Sequence, residues 1–148
     1  MSDTLKAMFL LIDTMLKNAN IDYTALQDAS IDETFFEDYN NTRIVNSFLF
    51  NFSKLQDKIG AKLFKQVLYE LKEIDTFSLT MIDVLHKLEK LNILDASEQW
   101  EKLRETRNIL AHEYPFDTQE RIENIALAME GFMELQGIVA ALRKAFTK

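Results

Sequence analysis

The chain of 148 residues has no cysteine, one proline and three glycines. Without cysteine there can be no disulfide and no thiolate metal site, which fits a reducing compartment. So little glycine and proline leaves few positions for tight turns, which argues against a β-rich fold and for a bundle of long helices. Long apolar runs are also missing near the start. The segment Met8-Phe-Leu-Leu-Ile12 is flanked by Asp3 and Asp13 and is too short and too acidic for a signal peptide or a membrane span. The chain therefore reads as cytoplasmic, with no membrane partner. Basic residues are outnumbered, 17 against 24, for a net charge of −7. An acidic surface repels nucleic acid at long range, so any RNA would need a local basic cleft.

What is present is enough apolar material for a core. Hydrophobic residues make up 47% and charged residues 28%, the balance of a soluble globular chain, and the length suits a single domain over 1–148. Leu5, Met8, Phe9, Ile12, Met15, Leu16 and Ala19 recur at three-four spacing and predict a helix over about residues 3 to 19, followed by a connector over 20 to 30. Ser30 or Asp32 is placed to cap a long helix marked by Phe35, Tyr39, Val45, Phe48, Phe52, Leu55 and Ile59, which meets a bend at Gly60 and continues through Leu63, Val67 and Leu71. A loop over 72–79 precedes a short helix from Thr80 to Leu91. Asp95-Ala-Ser-Glu98 and Asp117-Thr-Gln-Glu120 have capping-box spacing and predict two more helices, the last running to Phe146. The fold class is all-α, an antiparallel bundle of about five helices.

The residues most suggestive of chemistry are Arg107-Asn-Ile-Leu-Ala-His112-Glu-Tyr114. Arg107 falls on the stripe of Trp100, Leu103 and Leu110, a position that the pattern reserves for apolar side chains. A guanidinium there needs an anion, a carbonyl cluster or a wet cleft. It is also a planar, permanently charged fork suited to phosphate oxygens. An imidazole can take and give a proton near neutrality. The bland alternatives are an interior Arg107 paired with a neighbouring carboxylate, a His112 set against helix C-terminal carbonyls, and a Tyr114 packed beside Pro115. His112 lies five residues beyond Arg107, about 140° around a helix, whereas Asn108 shares its face. A site using Arg107 and His112 together thus points to two copies. Arg104 could add a phosphate contact or pair with Glu101 or Glu105. Lys54, Lys58, Lys62 and Lys65 form a basic row, either an RNA track or a solvated face. His86 reads as a surface residue. A helix-turn-helix over Met81–Trp100 is disfavoured by Glu98, Glu101 and Glu105 on its second helix. No phosphate loop, zinc motif or carboxylate cage is present in the sequence, and neither metal nor cofactor is expected.

The spacing Arg107, His112, Tyr114 resembles the Arg-x-x-x-x-His-x-Tyr signature of HEPN-domain proteins, in particular the HepT-like toxins encoded beside a minimal nucleotidyltransferase antitoxin. The stretch Phe52-Ser-Lys-Leu-Gln-Asp-Lys-Ile-Gly60-Ala-Lys-Leu-Phe64 is similar to a helix of that group, so the likeness spans roughly residues 35 to 146. The resemblance implies a homodimeric, metal-independent endoribonuclease with Arg107, Asn108 and His112 as catalytic residues. It also implies that Tyr114 accepts AMP groups from the nucleotidyltransferase antitoxin. The alternative is a non-catalytic subunit of that nucleotidyltransferase, binding a nucleotide or the partner.

Overall fold

A computed structural model describes residues 1–111 and 117–147. It is 80% helical, with no strand among the described residues. Helix α1 spans Asp3–Asp28, α2 Tyr39–Lys58, α3 Phe64–Glu70, α4 Met81–Lys90, α5 Ser97–Ala111 and α6 Thr118–Lys144. The all-α expectation holds, and several boundaries differ for identifiable reasons. Helix α1 runs nine residues past the expected end at residue 19, because Tyr23 and Leu26 continue the apolar spacing through a polar stretch. Leu26 is buried, and Tyr23 lies 5.5 Å from the Phe132 ring. Neither Ser30 nor Asp32 caps the long helix: Asp32 accepts from the Thr34 N–H at 2.9 Å, ahead of a short 3-10 turn, Phe35–Glu37, that has no side-chain cap. Asp38 is the cap of α2. The C-terminal helix stops at Lys144, two residues short of Phe146.

The bend expected at Gly60 is a widened turn over Ile59–Leu63, in which the Phe64 N–H reaches back to the Ile59 carbonyl. Such a turn inserts one extra residue without breaking the helix, so α2 and α3 form one long element. Gly60 faces the indole of Trp100 from α5, and a Cβ there would stand 2.8 Å from Trp100 Cζ2. Trp100 in turn lies edge-on to Phe64 at 4.6 Å. Around this contact the core is aromatic: Trp100, Phe48, Phe52, Phe64 and Phe132 are all fully buried.

Helix α1 runs antiparallel to the α2–α3 element and to α6. Ser2, at the start of α1, bonds Glu70 at the end of α3, and Asp13 of α1 pairs with Arg143 of α6 at 2.8 Å. Helix α2 packs on α1, α5 and α6. Helix α6 is, by length and composition alone, apolar enough to cross a membrane, a feature that reading only the N-terminus overlooked. In this fold eight of its residues, Phe132 and Leu135 among them, are buried against the other helices.

The glycines separate into two kinds with opposite expected effects. Gly60→Ala forces a methyl into the buried Trp100 ring and is expected to cost about 1–3 kcal/mol of stability. Gly137 has open space where a Cβ would go, so Gly137→Ala should stabilise by roughly 0.5–1 kcal/mol through helix propensity. Urea denaturation of both variants checks the pair of signs.

Candidate functional site: a groove between α2 and α5

Helix α5 carries the candidate site, and its beginning is anchored from α4. Asp95 was expected to cap it, yet the helix starts at Ser97. Both the Ser97 hydroxyl and its N–H donate to Glu89 Oε2, the N–H at 2.7 Å. These bonds, the hydroxyl's above all, hold the Glu89 carboxyl below its ordinary value of 4.5, with the charge of His86 assisting. A carboxylate reaching across from another helix leaves no local sequence signal, whereas Asp95-Ala-Ser-Glu98 imitates one.

Seven residues beyond Trp100, about two turns, Arg107 meets α2. Its Nε and Nη2 donate to Asp57 Oδ1 and Oδ2, each at 2.9 Å, a bidentate fork. The bond to Asp57 raises the proton affinity of the guanidinium, with burial opposing, so Arg107 stays cationic. The Arg107 side chain is 31% exposed and that of Asp57 44%. At such exposure solvent screens the pair, and its net contribution to stability is about 1 kcal/mol or less. What the fork supplies is orientation. It fixes the plane of the guanidinium by one edge and leaves Nη1 outside the pair.

Arg107 and Asp57 line an open groove of about 270 Å³ together with Leu49, Phe50, Ser53, Lys54, Leu110 and Ala111. Arg104 and Asn108 are not in it. They line a separate depression of about 530 Å³ on α5 with Glu98, Glu101, Lys102, Glu105 and Ile109, where Arg104 lies 3.4 Å from Glu101. Adjacent helix positions are about 100° apart, so Arg107 and Asn108 open onto different faces. His112 and Tyr114 lie outside the described residues. His112 directly follows Ala111, which lines the Arg107 groove.

The lysine row divides. Lys54 borders the groove, with Nζ 5.5 Å from the Phe50 ring centroid. Lys58 and Lys62 border a smaller apolar cleft with Met8, Leu11 and Ile12 of α1, and Lys65 donates to the Phe77 carbonyl at 3.0 Å. His86 is exposed. Among the described residues no group of three or more His, Asp or Glu is placed to hold a metal ion. Sequence reasoning missed Asp57 and Phe50. The hint was in the misplaced cation itself, which demanded an anion without saying which of 24 carboxylates supplies it.

No family model, no curated protein and no solved structure matches this chain.

Two measurements follow from these contacts. Asp57→Asn should lower stability by about 1 kcal/mol or less in urea denaturation, and a larger loss would mean that the pair is structural. For Glu89 the sign follows from a folded pKa depressed below 4.5. Its contribution is complete above that value and is lost as pH falls through the lower, folded one. Glu89→Gln should therefore be less stable than wild type at neutral pH, and the gap should close as the pH falls through the depressed folded value.

Proposed function

We propose that the chain is a homodimeric, metal-independent endoribonuclease of HEPN type, the toxin of a toxin–antitoxin pair acting in the cytoplasm. The observation that carries this reading is Arg107, an always-charged guanidinium at a groove mouth, oriented by Asp57 and adjoining Ala111, the residue before His112. In the proposed reaction the 2′-hydroxyl oxygen of RNA attacks the adjacent phosphorus. The bond from phosphorus to the 5′-oxygen breaks, leaving a 2′,3′-cyclic phosphate and a 5′-hydroxyl. His112 acts in the proton transfers, as base toward the 2′-hydroxyl or as acid toward the departing 5′-oxygen, a role typically contributing about 10²–10⁴-fold. Arg107 holds the phosphate and offsets the charge that builds on its oxygens. Asn108 orients the imidazole or the phosphate, and Arg104 adds a contact.

The separation of Arg107 and Asn108 onto two faces of α5 supports a dimeric site. One copy presents Arg107 in its groove while a second brings its own Asn108 and His112. The proposed partner is a minimal nucleotidyltransferase antitoxin that attaches AMP to Tyr114. That modification adds negative charge seven residues after Arg107 and repels an RNA phosphate.

A second reading is favoured by the same fork. Arg107 already has an anion in Asp57, as a non-catalytic interior arginine would, and the net charge of −7 disfavours RNA. On that reading the chain is a binding subunit of the nucleotidyltransferase. Total tRNA and a defined mRNA incubated in EDTA separate the two, using protein from a host without the partner so that Tyr114 is unmodified. The ribonuclease reading expects cutting by wild type, cyclic phosphate at the new 3′ ends, and a loss of about 100-fold or more in His112→Ala and Arg107→Ala. Intact RNA with the unmodified dimer, or EDTA-sensitive cutting that leaves 5′-phosphates, assigns the chain to the binding role or to other chemistry.

A further inference from the structure

The Arg107 groove contains more than a phosphate contact requires. Phe50, Lys54 and Asp57 follow one another at spacings of four and three and so share one face of α2, the face that lines the groove. Phe50 is 62% exposed, in a chain that buries five other large rings completely at its centre. A core role does not account for it. Lys54 holds its ammonium over the Phe50 ring at 5.5 Å, which presents an aromatic plane and a cation together. Among the described residues that line it, two cations, Lys54 and Arg107, face one carboxylate, a local excess of positive charge on an acidic protein. At about 270 Å³ it lies below the roughly 300–1,000 Å³ of sites that enclose drug-sized ligands. That size suits one planar ring system with a neighbouring phosphate.

Single-stranded nucleic acid is bound by this combination, an aromatic face for the base and basic side chains for the backbone. A duplex cannot use it, because its bases are stacked on one another. We infer that the groove is a nucleobase subsite, in which Phe50 stacks one unpaired base of RNA while Lys54 and Arg107 take the phosphates beside it. The inference takes its ligand from the ribonuclease reading and narrows the substrate to single-stranded segments, loops and ends. Ser53, on the same wall, offers a hydroxyl that can donate to or accept from a base edge.

The probe is a fluorescent tetra-adenylate with every 2′-hydroxyl methylated, which blocks attack by the 2′-oxygen, compared with the same backbone carrying no bases. Binding to the full chain is followed by anisotropy for wild type, Phe50→Ala and Phe50→Tyr. Phe50→Ala is expected to weaken the base-bearing ligand about tenfold, to leave the abasic backbone unchanged, and to be rescued by Phe50→Tyr. Equal effects on both ligands, or none on either, overturn the inference. So does a Phe50→Ala protein that sediments as a smaller species, which would give this face to a second copy of the chain. Because the probe cannot be cut by this route, the two readings fail separately. The expected binding pattern alongside intact natural RNA removes the ribonuclease and keeps the subsite, whereas cleavage without any Phe50 dependence does the reverse.

Discussion

Helix α5 can reach the α2–α3 element because residue 60 has no side chain. Trp100 fills that space and closes on Phe64 behind it, which fixes both the height of α5 and its rotation. The consequence appears two turns along, where Arg107 arrives opposite Asp57 on a helix running the other way. The widened turn over Ile59–Leu63 belongs to the same arrangement. It advances the helix by one residue without ending it, so Asp57 on one side and Phe64 on the other each face α5. A packing contact deep in the core thus sets the position of a charge at the surface.

The magnitudes assign different roles to these contacts. Burial of Trp100 and its aromatic neighbours is worth several kcal/mol in total, at roughly 1.5–3 kcal/mol for each large apolar side chain, and that holds α5 in place. The Arg107–Asp57 fork, a third to nearly half exposed, adds little to stability. It restricts the guanidinium to one plane, and restricted geometry is what phosphate recognition and transition-state stabilisation require. The groove meets the objection raised by an overall charge of −7. Among the described residues that line it, Asp57 is the one acidic side chain and two cations gather beside an exposed ring, while Glu98, Glu101 and Glu105 line a separate face.

Helix type and order were legible because apolar side chains recur at helical spacing over long stretches. The end of α1 was not, since Asn18, Asn20 and Asp22 resemble a connector and only Tyr23 and Leu26 carry the pattern through. Local capping was read well where the partner is nearby, as for Asp117, and badly where a distant Glu89 holds Ser97. At the site, Arg107 was conspicuous as a cation on an apolar stripe. Asp57 was not, because a pairing across fifty residues depends on how α5 is seated. Phe50 falls off the apolar stripe of Phe48 and Phe52, and its exposure places it outside the core. Arg104, one turn before Arg107, was a candidate for the same phosphate, and helix geometry places it with Asn108 on another face.

The central claim, that Asp57 orients Arg107 for a phosphate undergoing cleavage, is tested most directly by a double-mutant cycle. Single-turnover cleavage of one RNA would be compared for wild type, Asp57→Asn, Arg107→Lys and the double variant. The account predicts that Asp57→Asn slows cleavage about tenfold or more in the presence of Arg107 and changes little once Arg107 is Lys, because the fork no longer exists to be aimed. Independent, additive losses, or faster cleavage by Asp57→Asn, would contradict it. The second result would mean that Asp57 withholds the guanidinium from RNA.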